Sequence, residues 1–525
     1  MPTTMPGDES MHVILAPFPA QGHFAAFLTL AGRLHAARPS VVITLVSTPG
    51  KVAALRTSAS AAAVPFLRFH ALPFSPEEHG LPAGADSADA IHVRYFLKLF
   101  QSTGSPSLQA AFDAFMNGVL AGTEDGGARR PPASSSPTPS WRGPPPWRAG
   151  SAPGTHSSSP ALRAVFHSLW KHLPHLRGPG ADAFVLPDHP EVNVYGSQLP
   201  RHLLLADGTD PWSVFYRQQI LLGYGTDALL VNTTDTGREL GFSPGCLCNR
   251  DKRSRLWEEF EPAGLRMLRR TMGVPVLPIG PLVRVPIQHT SHREPDSDSI
   301  VRWLDARNKS SVLYISFGSQ NSLRPEQMME LAAALELTGR PFVWTIRPPI
   351  VLDDTNGNTG TVTSDKWLPE GFEERMSAND TGLLVHGWAP QLSILAHAST
   401  SAFLSHCGWN SVLESVAHGV PVLGWPLQGD QFFNCKMLEQ EWGACVEVAR
   451  GHGDSSPAVE RARLAQAVET VLGDTSKGAE MRRCAKEIQE LIGRSRSKDG
   501  DSSAEVLQEF FTSMLHGSGT ADKEC

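Results

Sequence analysis

An apolar run from Ala402 to Leu404 ends in Ser405-His406-Cys407-Gly408, and a helical pattern starts at once with Asn410 and Ser411. A helix N-terminus offers free backbone N–H groups and the positive end of a dipole, which together suit a phosphate. His406, Asn410 and Ser411 add side-chain donors at that end. Glu414 lies one turn beyond Asn410 on the same face, where it can accept from sugar hydroxyls. Trp388 offers a flat face for a base. Such a cluster asks for a nucleotide carrying a diphosphate. A second candidate stands far upstream. His23 follows the apolar run Met11 to Ala16 through Phe18-Pro19-Ala20-Gln21-Gly22 and opens a helical pattern, which puts it at a strand-to-helix switch. A helix N-terminus disfavours imidazolium, so the neutral ring could take a proton from a hydroxyl. Taken alone, a histidine there also reads as a cap or a surface residue.

The elements that must position these residues alternate. Met11–Ala16 and Val41–Val46 read as strands around a helix over His23–Ala37, the opening of a parallel sheet with covering helices. The alternation returns with strands at Ser311–Ser316, Phe342–Ile346, Gly382–His386 and Ala402–Ser405 and helices at Pro325–Leu337 and Asn410–Ala417. The expected architecture is α/β, with two doubly wound halves facing a central cleft. The N-terminal half spans residues 1–277, a joint 278–299, the second half 300–503, a terminal helix 504–516, and a small, polar, frayed tail 517–525. Ligands of such sheets sit at the carboxyl ends of the strands.

Composition narrows the classes. With 46 Lys+Arg against 53 Asp+Glu and a net charge of −7, the chain lacks the basic excess of a nucleic-acid binder. Its 41% hydrophobic residues suffice for two cores. Seven scattered cysteines do not make a disulfide framework, and a reducing compartment is the simpler reading. The first ten residues carry Asp8 and Glu9 where a secretory signal needs a basic start, and no stretch approaches the roughly 20 apolar residues that span a bilayer. The expectation is a soluble cytoplasmic monomer whose sequons at Asn232, Asn308 and Asn379 stay unused. The His406-Cys407 pair and the Cys246/Cys248 spacing are too sparse for a metal site, and Trp425 and Trp442 read as packing residues. No GxGxxG follows the first strand, which disfavours a dinucleotide-dependent oxidoreductase.

The whole stretch from Trp388 to Gln431, WAPQLSILAHASTSAFLSHCGWNSVLESVAHGVPVLGWPLQGDQ, resembles the nucleotide-sugar signature of the plant family 1 UDP-glycosyltransferases in length, order and nearly every motif residue. SFGSQ at 316–320 and WTIRP at 344–348 extend the resemblance over most of the chain. It implies the GT-B fold, two Rossmann-like domains with the sugar donor held by the C-terminal one. It also implies a platform at Trp388 for uracil, with Ala389 and Gln391 beside the base and ribose and Glu414 on the ribose hydroxyls. His406, Asn410, Ser411 and Ser319 would hold the diphosphate, and Asp430 and Gln431 the sugar hydroxyls. Trp409 together with a terminal Gln431 goes with UDP-glucose. His23, in its FPAQGH context, would be the base for inverting transfer of glucose to a hydroxyl of a small lipophilic acceptor, phenol-like or flavonoid-like, without a metal or other cofactor.

Two segments depart from the family. Its members carry a buried strand of the form apolar-apolar-x-Asp-x-Phe-x-x-Trp whose aspartate orients the histidine; this chain has no aspartate between Asp125 and Asp182. Residues 131–160 instead hold nine prolines, eight serines and no Leu, Ile, Val, Phe or Met, and no globular core is built from that. If the serines use TCN codons, joining the third base of each codon to the first two of the next turns residues 133–143 into VVVADTFLAW, the missing strand with its aspartate. The segment is therefore read as a frame-shifted translation that returns to frame near Leu162, the alternative being a genuine insertion. Residues 236–258 form a second insertion, a retained intron or a surface loop. Loss of the aspartate leaves a UDP-sugar-binding pseudoenzyme as the rival reading. Sequencing the transcript across codons 130–165 is expected to show two compensating frame changes; one uninterrupted frame removes the idea.

Overall fold

The computed structural model describes residues 11–516 except 59–63, 92, 122–148, 151–159, 174–182, 191, 225–227, 234–263, 284–294, 320, 348–349, 353–358, 362–366, 452–457 and 496–501. Most of the aberrant segment 131–162, the insertion 236–258 and the tail 517–525 lie outside the described residues.

The first half begins with strand β1 (His12–Leu15), helix α1 (Gln21–Ala37), and strands β2 (Val42–Ser47) and β3 (Leu67–Ala71). The three strands are parallel in the order β1-β2-β3. Phe24, Phe27, Leu28, Ala31 and Leu34 recur at helical spacing and form the buried face of α1. Further strands are β4 (Ala149–Gly150), an antiparallel pair β5 (Ala183–Val185) and β6 (Asn193–Tyr195), then β7 (Ala228–Val231) and β8 (Val276–Pro278). Helices α2 (Phe96–Ser102), α3 (Pro160–Lys171) and α4 (Pro211–Tyr224) surround them.

The second half is a six-stranded sheet in the order β13-β10-β9-β14-β15-β16. Its strands are β9 (Val312–Ser316), β10 (Phe342–Ile346), β13 (Gly382–His386), β14 (Thr400–Ser405), β15 (Val422–Gly424) and β16 (Cys445–Glu447), all paired in parallel. A small hairpin, β11 (Ile350–Leu352) with β12 (Thr359–Thr361), stands apart from it. The order is that of a doubly wound sheet, with the switch point between β9 and β14. β9 is buried at all five positions, as expected of a parallel strand covered on both faces. Helices α5 (Gln391–Ala396), α6 (Trp409–Ala417) and α7 (Gln431–Lys436) follow strands or turns at the carboxyl edge.

The two halves differ at the matching place. In the second, β9 is flanked on both sides. In the first, β1 ends its sheet and three of its four residues are only half-buried. Among the described residues the neighbour of β7 away from β8 is the two-residue β4, which pairs with Ala228 and Leu229 and not with β1.

The joint expected at 278–299 is shorter than its sequence suggested, because a helix at Pro295–Asp305 already begins inside it. The terminal helix, α8 (Ser502–His516), crosses back to the first half, where Leu507, Phe510 and Phe511 pack with Leu15, Phe24, Ile43, Ile279 and Leu282. Phe510→Ala, which empties part of that seam, is expected to cost about 3–5 kcal/mol; a thermal or urea midpoint equal to the parent's would refute the packing role.

Candidate functional site

Two helix N-termini meet across the cleft. Asn410 at the start of α6 donates from Nδ2 to the Gly22 carbonyl in the first turn of α1, at 2.7 Å. The gap is tight: a Cβ on Gly22 would stand 3.3 Å from that nitrogen. Beside this bond lies Asp89, in a single helical turn at Ala88–Ala90. It accepts from Gln21 N at 3.3 Å and from Ser319 Oγ at 3.1 Å, and pairs with Lys51 Nζ at 2.5 Å. Nothing in the sequence pattern marked Asp89 or Lys51. Two positive helix ends and a lysine need an anion, and Asp89 supplies one.

His406 is wedged between two glycines, since a Cβ on Gly318 or Gly408 would come within 2.7 or 2.6 Å of its Nε2. The chain turns at Cys407, which takes a left-handed φ of 63°. Burial pushes His406 down to about 4, against a pull from the Ser316 backbone, so it serves as a neutral donor. Ser319 is steadied through its carbonyl by Arg347 Nη1 at 2.5 Å.

A hydrogen-bonded cluster is preassembled where the resemblance would put the nucleoside. Gln391, first residue of α5, donates from Nε2 to Glu414 Oε2 at 2.7 Å and to Ser411 Oγ at 3.2 Å, while its Oε1 accepts from Tyr314 at 3.3 Å. Glu414 is buried. Trp388 is 55% exposed, a large flat ring left open to solvent beside them, with Ala389 buried next to it. Gln431 Oε1 accepts from Leu427 N and Gln428 N at 2.9 and 3.0 Å, which fixes the loop before α7. Asp430 accepts from Asn434 Nδ2 at 3.2 Å and is pushed up to about 6 by burial. Trp409 is placed differently from an open sugar contact: its ring is buried against Trp442, and its Nε1 donates to the Asn232 carbonyl at 3.3 Å. Asn232 is buried too, its Oδ1 accepting from Leu282 N at 2.6 Å, which closes that sequon to a glycan.

His23 occupies the third residue of α1, which starts at Gln21 and so earlier than the pattern suggested. Its pKa lies near 4, chiefly through burial, with the Phe18 backbone and the Asp89 charge pulling the other way. The neutral state expected from the helix dipole therefore has burial as its main cause. Nδ1 is buried and has no hydrogen-bond partner among the described residues. Among the described residues no carboxylate bonds the nitrogen where the family's would act.

An aromatic array leads away from His23. Phe18 meets its ring edge-on at 5.5 Å and stacks on Phe100 of α2 at 4.4 Å. Phe100 meets Trp212 and Phe215 of α4 at 6.1 and 5.6 Å, and Tyr216 lies 5.8 Å from Trp212. Tyr216, at the far end of the array, is pushed up by burial and by the charge of Asp430. Three separate parts of the chain supply these rings, so no sequence window displays them together.

Residues 263–485 match the family profile described as UDP-glucoronosyl and UDP-glucosyl transferase. The chain is 34% identical over 520 residues to UDP-glycosyltransferase 92A1 of Arabidopsis thaliana, covering 96% of this chain and 97% of that one. It is 33% identical to crocetin glucosyltransferase 3 of Crocus sativus over 94% and 96% of the two chains. The chain belongs to the plant UDP-glycosyltransferases. Among solved structures, Medicago truncatula UGT71G1 complexed with UDP-glucose superposes with a TM-score of 0.67 at 22% identity, covering 96% of this chain and 98% of that one. Glycyrrhiza uralensis UGT73P12, complexed with glycyrrhetinic acid 3-O-monoglucuronide, gives 0.68 at 23%, covering 97% and 96%. The fold is GT-B, and the chain is a glycosyltransferase. Among the described residues no helix is long and apolar enough to cross a membrane.

The titrations give a test. A group whose folded pKa is depressed, as for His23, takes up its proton only as pH falls through the lowered value, so the base stays neutral down to about pH 4. Asp430, raised to about 6, ionises only above that value. kcat/KM is expected to show a step near pH 6 and a second near pH 4, and Asp430→Asn to abolish the first alone. A single step near the ordinary histidine value would contradict the burial of His23.

Proposed function

We propose that this enzyme moves glucose from UDP-glucose to a hydroxyl of a flat aromatic acceptor, with inversion at the anomeric carbon. The array Phe18–Phe100–Trp212–Tyr216 carries the reading. All four rings are partly exposed, and they run from the candidate base to Asp430. Offset ring contacts reward a planar aromatic guest beyond its buried area, by roughly 0.5–1.5 kcal/mol per pair.

In the reaction His23 takes the acceptor proton on Nε2, since Nδ1 faces inward. The acceptor oxygen forms a bond to the anomeric carbon as the bond to the diphosphate oxygen breaks. The leaving UDP gains its charge at the α6 N-terminus, where Asn410, Ser411, Ser319 and neutral His406 donate. Nothing in this route calls for a metal. The donor preference for glucose rests on the terminal Gln431 that the resemblance ties to UDP-glucose, while Trp409 is buried at the seam, and the solved relative complexed with UDP-glucose shares the fold.

The unpartnered Nδ1 sets the rate. For Nε2 to accept a proton, Nδ1 must carry one, and a buried N–H without an acceptor costs about 1–3 kcal/mol. That cost favours the tautomer with the proton on the wrong nitrogen. Slow but real transfer follows. A donor-binding protein without transfer would need some further loss, and the donor-side network described above is intact.

The experiment is a panel of phenols, flavonoids and aliphatic alcohols with UDP-glucose, read by UDP release and product anomer. β-Glucosides of the aromatic members are expected, with UDP affinity unchanged in His23→Ala and turnover lower by about 10²–10⁴-fold in that variant relative to a chain carrying the re-read strand. If the given chain and the restored chain transfer equally fast, the tautomer argument is wrong.

A further inference from the structure

Three cysteines far apart in sequence converge behind the donor loop. Cys407 lies in the turn after β14, Cys435 lies on α7 and Cys445 opens β16; all three are free thiols, wholly buried, and their sulfurs lie within 4.8 Å of one another. The sequence offered Cys407 only the neighbouring His406 as a partner, and that pair was too sparse. The fold supplies the spacing that the sequence lacked.

Gly424, the last residue of β15, leaves the space they share. A Cβ there would stand 2.4 Å from Cys435 Sγ, 3.0 Å from Cys445 Sγ and 3.2 Å from Cys407 Sγ. A side chain at this position would fill the centre of the triad. Glu447 completes the surroundings, its Oε2 lying 3.8 Å from Cys435 Sγ. It pairs with Arg450 at 2.5 Å and Lys436 at 3.3 Å. Those two cations hold its carboxyl below its ordinary value although burial works the other way.

We propose that Cys407, Cys435 and Cys445 form a binding site for a soft divalent metal ion of the zinc type, with the Glu447 carboxylate as fourth ligand. Four ligands of this kind make a closed, tetrahedral structural site. At a Zn–S length of about 2.3 Å, three thiolates stand about 3.8–4.0 Å apart, within a short contraction of the triad. Binding replaces three S–H protons by three metal–sulfur bonds and releases the protons to solvent. Lys436, Arg450 and the divalent ion together cancel the charge of three thiolates and one carboxylate. Without a metal, burial keeps the thiols protonated, so affinity rises with pH.

The ion would tie together β14, α7 and β16. Its place is next to the donor site, because the Cys407 carbonyl accepts from Asn434 Nδ2 at 3.0 Å and the same nitrogen bonds Asp430 at 3.2 Å. The role is structural and separate from bond making.

The test titrates the reduced, full-length protein with Cd²⁺ and Zn²⁺. One equivalent of Cd²⁺ is expected to give the ultraviolet sulfur-to-cadmium charge-transfer band with release of protons. The band should persist in the C246S/C248S double variant, whose pair lies outside the described residues, and vanish in C435S and C445S chains that still bind UDP. In the double variant, Zn²⁺ should also raise the thermal midpoint, a reading that does not depend on the triad variants folding. No band and no thermal shift in the double variant, or an undiminished band in folded C435S and C445S, would overturn the proposal.

Discussion

The structure turns on the meeting of two helix N-termini across one cleft. The Asn410–Gly22 bond of 2.7 Å brings the positive end of α6 against that of α1, and it tolerates no side chain at position 22 without displacement. Each terminus alone is an ordinary anion site. Together they put the proposed base, His23, and the proposed diphosphate donors of α6 on the two walls of one gap. The apolar seam that includes Trp409, Phe433, Leu229 and Trp170, with the crossing helix α8, gives that gap rigid walls.

The walls are not equally complete. On the donor side every level agrees: a buried parallel sheet, glycines where His406 needs room, a left-handed residue at the turn, and a Gln391–Glu414–Ser411 network already bonded. On the other side, among the described residues, β1 pairs with β2 alone, β4 is two residues long, and His23 Nδ1 has no hydrogen-bond partner. These three observations are physically one. A strand seated between β1 and β7 would cover the edge, lengthen β4 and bring a side chain toward α1.

How much could be read beforehand follows from the length and locality of each signal. Strands buried on both faces, such as Val312–Ser316 and Phe342–Ile346, are continuous apolar runs and were legible almost to the residue. Val422–Gly424 and Cys445–Glu447 are three residues each, too short to carry a period. The residues assigned to the donor could be named from sequence because one strand–turn–helix holds most of them in sequence order. Asp89 sits in a single helical turn, the aromatic array draws on Phe18 and on helices α2 and α4, and the thiol triad needs three elements at once. Such constellations exist only after folding. Trp409 shows the converse, a residue whose motif was plain while its side chain turned out to be buried at the seam.

Asp89 shows how the cleft manages its charge. Two helix ends, Lys51 and the Ser319 hydroxyl form a cationic, donor-rich focus, and the Asp89 carboxylate of the first half sits in it. A diphosphate arriving at α6 competes for the Ser319 hydroxyl and brings negative charge toward Asp89. Lys51, held at 2.5 Å, screens that repulsion and anchors the carboxylate against α1. The nearby anion also favours a positive charge on His23. Asp89 cannot replace a carboxylate bonded to Nδ1, because charge at a distance stabilises imidazolium without selecting a tautomer. The chain therefore has the electrostatics its base needs and lacks the hydrogen bond that would aim it.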